Sequence, residues 1–185
     1  MNHYIQTVKN YLSEHKNIFL ISALIIVILA VMAALFMYNS PQKHTYKATN
    51  ACDLFSPKKA QDLLGEKVIS VDTKGVIVSG DIATSKCSYT DSNQDTTKLR
   101  VAAVAVRSGI NEKGIQQNIT EFTNSKTGKT VEDVNDIGDK AYFNQTLGQL
   151  NVLRGRDWII LSYGLGSAPE TNELSKNIDL AKNLF

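Results

Sequence analysis

The sequence predicts an α+β fold in which a mainly antiparallel sheet carries helices packed on one face, preceded by a single N-terminal transmembrane helix. Three observations lead there. A run without charge extends from Asn17 to Gln42, and its centre is almost wholly apolar. Beyond it, strand-like segments joined by short turns are interrupted by only a few helical patterns. The chain holds 2 cysteines, and both fall after the apolar run.

The segment from Ile18 to Tyr38, at about 1.5 Å rise per residue, spans the roughly 30 Å hydrocarbon core of a bilayer. A core helix apolar on every side for so many turns is hard to bury in a chain of 185 residues. A cleaved signal peptide has an apolar region of about 7–15 residues, shorter than this one, and a small-x-small cleavage site, which is not evident here. The segment therefore reads as an uncleaved signal anchor whose partner is the lipid bilayer. Lys9 and Lys16 precede it while Lys43, Lys47, Lys58 and Lys59 follow, so the positive-inside count does not set the orientation. The cysteines do, because a pair oxidises and stays oxidised outside the cytoplasm. The expected arrangement is a single-pass protein of the cell membrane. It has a short cytoplasmic tail over 1–16, a transmembrane signal anchor over 17–38, a polar linker with Pro41 over 39–50, and an extracytoplasmic domain over 51–185.

The domain opens with a helix signal. Ser56 suits the N-cap, Pro57 the first helical position and Gly65 the stop, with Leu54, Phe55, Ala60, Leu63 and Leu64 as its buried side. Segments 67–73 and 83–91 read as strands, separated by Gly75 and Gly80. Segment 97–107 is a longer strand, apolar on both faces in its second half and hence central, after a turn cluster at "DSNQD". Ile115, Ile119 and Phe122 mark an amphipathic helix over 111–124. A strand over 140–145 follows, then a hairpin turning at Gly155-Arg156. The chain closes with a helix from about Pro169, with Leu174, Ile178, Ala181 and Phe185 as its stripe.

Composition excludes several kinds of chemistry. The overall charge of +2 is carried by the membrane-flanking residues, whereas from Ala48 onward 16 basic residues meet 17 acidic ones. Nothing there favours nucleic acid. All 3 histidines, His3, His15 and His44, lie in the tail or linker. The domain thus lacks the base of a Ser-His-Asp or Cys-His centre and a histidine for zinc. "TGKT", from Thr127 to Thr130, follows a helix and lacks the first glycine of a phosphate-binding loop, so it reads as a polar loop. "EDVNDIGD" brings Asp133, Asp136 and Asp139 together as oxygen donors of the kind calcium takes, but the spacing misses the EF-hand pattern. An acidic turn using Gly138 is the better reading. A carboxylate pair with Trp158 as a stacking platform would make a glycan hydrolase, although Trp158 on a hairpin strand suits a core. Asn118 and Asn144 match the N-glycosylation pattern. No other cofactor is suggested.

Cys52 admits three roles: lipid attachment, a reactive thiol or ligand, or half of a disulfide. It stands well past the apolar run behind "ATN", a poor lipidation site. Lys58, Lys59 and Lys86 offer a thiolate cationic neighbours, but no base or resolving motif accompanies them. A Cys52–Cys87 disulfide accounts for both residues and would pin the first helix to the strand "SKCSY".

Cys52-Asp53-Leu54-Phe55-Ser56 with Ala60 and Leu64-Gly65, then Cys87-Ser88-Tyr89, then Gly138-Asp139-Lys140-Ala141-Tyr142, resemble an uncharacterised domain family of actinobacterial-type envelope lipoproteins. The resemblance covers most of the stretch between Cys52 and Tyr163. It implies an α+β extracytoplasmic domain with paired cysteines and no established catalytic activity. The chain departs from it in having a membrane helix where such proteins have a lipidated cysteine, and Tyr89 where tryptophan is common. The expected function is a non-catalytic, membrane-tethered binding or scaffolding domain that engages an envelope protein, lipid or glycan. A carboxylate-dependent glycan hydrolase and an accessory subunit of a membrane complex are the alternatives.

Overall fold

The computed structural model describes residues 28, 31, 45–65, 67–95, 97–127, 130–166 and 168–185. The chain divides into two compact units, Met1–Gln42 and Lys43–Phe185. Of the first, only Ile28 and Val31 are described, both helical and half exposed. The expected cytoplasmic tail over 1–16, the rest of the anchor between Ile18 and Tyr38, and Gly128-Lys129 of the "TGKT" loop lie outside the described residues. Among the described residues no helix is long and apolar enough to cross a membrane.

The second unit is an α+β domain. Two short helices, α1 (Ala51–Leu54) and α2 (Pro57–Leu64), lead into β1 (Val68–Ser70), β2 (Lys74–Ser79), β3 (Ile82–Asp91) and β4 (Arg100–Gly109). Helix α3 (Glu112–Ser125) precedes β5 (Val131–Val134), β6 (Lys140–Asn144), β7 (Gln149–Arg154) and β8 (Asp157–Leu165). A 3₁₀ turn at Pro169–Thr171 and helix α4 (Leu174–Leu184) close the chain. The eight strands form one sheet, in the order β1-β3-β4-β8-β7-β6-β5, and β2 lies beside β1 along the same edge of β3. Every pairing is antiparallel.

Local chemistry explains the ends of the helices. Ser56 accepts the Lys59 N–H, Pro57 supplies the first turn and Gly65 stops α2 at φ +109°. Asn111 caps α3 by accepting the Gly114 N–H at 2.9 Å. Strand β4 is central, between β3 and β8, as its two-sided apolar pattern requires.

Register builds the core. Cys87, Val104, Leu161, Leu150 and Phe143 stand side by side across five strands on one face. Ala51, Phe55, Ala60, Leu64, Leu180, Ala181 and Leu184 from α1, α2 and α4 cover that row. The helices are not confined to this face, contrary to the sequence-based expectation. On the opposite face, α3 sets Phe122 against Tyr142, Leu153 and Trp158. The rings of Phe122 and Trp158 meet edge to face with centroids 6.0 Å apart. The physical reason lies in the β7–β8 hairpin, which carries large apolar side chains on both faces, so that each face needs its own cover.

Four local assignments also differ. Tyr46–Asn50 belongs to the domain rather than to a linker: the Tyr46 N–H reaches the Ile110 carbonyl at 2.7 Å and the Thr49 hydroxyl reaches Asp157 Oδ2 at 2.7 Å. Strands β2 and β5 occupy stretches read as turns. Helix α4 begins at Leu174, and its fully covered side is Asn177, Leu180, Ala181 and Leu184, leaving Phe185 exposed.

Candidate binding surface

The two cysteines meet first. Cys52 in α1 is bonded to Cys87 in the middle of β3, with Cα atoms 5.1 Å apart. Neighbouring contacts hold α1 in place: Asn50 Oδ1 accepts the Cys52 N–H at 3.1 Å, and the Ala51 N–H donates to Ser85 Oγ at 2.9 Å. Below them Phe55 meets Tyr89 edge to face at 5.3 Å. Cys87 is fully buried, and among the described residues no cysteine is free.

A second anchor lies at the far end of β3. Asp91 is buried, and its carboxylate accepts the Arg100 Nε–H at 2.8 Å and the Arg100 backbone N–H at 3.2 Å. The same guanidinium donates to the Leu64 carbonyl, tying the end of α2 to the sheet. Burial by itself would raise the pKa of Asp91. The hydrogen bonds from Arg100 and from the Asn93 N–H, with the Arg100 charge, outweigh that effect and hold it below the usual carboxylate range.

The acidic segment does not form a cation cage from the described side chains. It lines a half-open cavity of about 370 Å³ with Phe122, Lys126 and Tyr142. Asp133 pairs with Lys126, while Asp139 Oδ2 accepts the Gly155 N–H at 2.5 Å and so fixes the β7–β8 turn. Asp136 sits in the turn at φ +63°. Gly138 is required there, since a Cβ would stand 2.5 Å from Val152 Cγ1 at φ +62°. Among the described residues no three histidine, cysteine or carboxylate side chains converge as a metal site.

Trp158 is core, not a sugar platform. Its N–H donates to Asn151 Oδ1 at 3.0 Å, and Arg107 lies 5.6 Å from the ring centroid, beside the Phe122 contact. Asn118 is fully buried and donates to the Arg107 and Arg156 carbonyls at 2.7 and 3.0 Å, so no glycan can reach it in the folded domain. Asn144 Oδ1 accepts the Leu147 N–H at 3.1 Å.

What sequence reasoning missed is the β1–β2 edge. Ile69, Val71, Val76, Ile77 and Val78 are 57, 58, 41, 58 and 60% exposed. Elsewhere in Lys43–Phe185 the exposed large apolar side chains among the described residues are Leu147 and Phe185. All six residues of β2 are exposed, and no described strand pairs its outer side. Next to this edge, the face that α3 leaves uncovered holds two adjoining clefts of about 240 and 280 Å³ that share Lys86. Ala103, Ala105, Ser88 and Ser162 make a shallow floor, with Ile77 and Leu147 at its rim. Lys86 is held toward the edge by Asp72 at 2.6 Å, and its hydrogen bond, then its charge, keeps the Asp72 carboxyl below the usual range. The signal in the sequence was "GVIVSGD": a branched apolar run followed by a glycine turn, obscured because Gly75 and Gly80 read as breakers.

No protein-family model, curated protein or solved structure matches the chain.

Proposed function

We propose that the chain is a membrane-tethered, extracytoplasmic binding domain of the cell envelope that acts without catalysis, adding an extended protein segment to the β1–β2 edge of its sheet. The observation that carries this reading is the concentration of exposed branched side chains on one unpaired edge. Fully covering a valine or isoleucine is worth about 1.5–3 kcal/mol, and an open strand edge offers a row of backbone donors and acceptors with no partner strand. An added strand meets both needs, and the cleft floor beside it takes alternate side chains. The tether is the apolar segment from Ile18 to Tyr38. An oxidising compartment suits the Cys52–Cys87 bond, which supports an outer-side location for the domain. The glycan-hydrolase alternative loses its stacking residue, because Trp158 lies under α3.

A photo-crosslinking residue at Val78 of the full chain, activated in native membranes, tests the reading. A discrete intermolecular adduct that disappears with Ile77→Lys is expected. Abundant full-length protein with no adduct from Val76, Ile77 or Val78 sinks it.

A further inference from the structure

We infer that the segment added to this edge is β2 of a second copy, paired antiparallel about a two-fold axis near Ile77. This rests on the reading of the β1–β2 edge as the binding surface and names its occupant.

The self-complementary Val-Ile-Val run of the edge fits a second copy, and its charge pattern sets the direction. Strand β2 reads Lys-Gly-Val-Ile-Val-Ser, with its charged residue at one end and an apolar triplet beyond it. An isologous contact about a two-fold axis must place each residue against a self-complementary position. With the axis at Ile77, Val76 faces Val78 of the other copy, Ile77 faces Ile77, and Lys74 faces the opposite turn at Gly80. The two lysines then stand six positions apart, about 20 Å at roughly 3.4 Å per residue, well beyond the Debye length of about 8 Å. Parallel pairing in register would stack them at about 4.8 Å, where like charges are destabilising. The antiparallel arrangement also brings each Lys74 next to the turn holding Asp81 of the second copy, whose carboxylate Lys113 of its own chain already holds at 2.8 Å.

The backbone of β2 differs on the two sides of that axis. The irregularity in β2 lies between Lys74 and Ile77, whereas Ile77, Val78 and Ser79 run in regular register with Thr84, Ala83 and Ile82. Each pair flanking the axis therefore sets Val76 of one copy, from the irregular stretch, against Val78 of the other, from the regular one. A neighbouring copy would also cover Ile69 and Val71, which continue the same edge.

The test uses full-length chains carrying two different tags, co-expressed and solubilised from the membrane, with each variant checked for an intact Cys52–Cys87 bond. One tag is expected to capture the other in the wild type. Ile77→Lys in both copies sets like charges face to face and removes apolar cover, and capture falls at least about tenfold. Ile77→Glu in both copies does the same. Lysine in one copy and glutamate in the other restores capture, an outcome that misfolding would not give. A crosslink from Val76 to Val78 of the differently tagged chain fixes the antiparallel direction.

Loss in both single-charge forms without recovery in the mixed pair overturns the two-fold pairing, as does capture that ignores Ile77. A Val78 adduct to a different protein, or to residues 1–44 of the same chain, overturns the second copy as occupant. The adduct to a different protein would leave the proposed strand addition standing, so the two ideas fail separately.

Discussion

Removing the Cys52–Cys87 bond tests how the domain is held together. The bonded residues are 35 positions apart in sequence, and closing a loop of that size restricts the unfolded chain by about 4 kcal/mol in the chain-entropy model. Native contacts around the bond do not involve it and are expected to survive its loss: Asn50 caps α1, Ser85 accepts the Ala51 N–H, and Phe55 rests on Tyr89. The domain with Cys52→Ala and Cys87→Ala therefore still folds but is weakened mainly through its unfolded state. With a urea m-value of about 2 kcal/mol per molar, the midpoint drops by about 2 M, and the slope rises because the unfolded chain expands. The assay is urea unfolding of the full chain followed by Trp158 fluorescence, for the wild type, the reduced wild type and the double variant. Mass spectrometry without reductant reports the thiols. A change of less than about 1 kcal/mol, or two free thiols in material never exposed to reductant, would refute the reasoning.

Two further outcomes follow from named contacts. Asp91→Asn removes the charge that Arg100 grips and lowers stability by about 2 kcal/mol at neutral pH, a figure moderated by the half-exposed guanidinium. Because the folded carboxyl sits below its unfolded value of about 3.9, this stabilisation is present above roughly pH 4 and fades as the pH falls through the folded value. Unfolding curves of wild type and variant are expected to converge in acid, and an unchanged gap at pH 2 would contradict the pairing. Gly114→Ala should gain about 1 kcal/mol from helix propensity alone, yet its Cβ would stand 1.9 Å from the Asp81 carbonyl oxygen. The structure reverses the sign, to a net loss of about 1–2 kcal/mol in thermal or urea unfolding, and a stabilised variant would show that this approach is not tight.

Particular residues show where sequence reasoning succeeds. Ser56, Pro57 and Gly65 carry a helix start and stop in their own covalent chemistry, and the structure places all three as capping theory requires. Gly155-Arg156 turns the hairpin for equally local reasons. Strand β2 was hidden because Gly75 and Gly80 resemble breakers until β3 is present to receive them. The acidic turn hid β5, whose four residues make sense only once β6 supplies a partner. Asn118 looks like a surface acceptor in sequence, but the two carbonyls that bury it come from β4 and the β7–β8 turn.

The sequence by itself determined an α+β, mainly antiparallel domain and the identity of its cysteine pair. Both follow from short-range periodicity, capping and a count of 2. Tertiary structure alone decided that helices cover both faces, that Trp158 is core, and that the exposed branched residues share one unpaired edge. Those properties depend on strand order and register, and a shift of one residue would exchange the two faces.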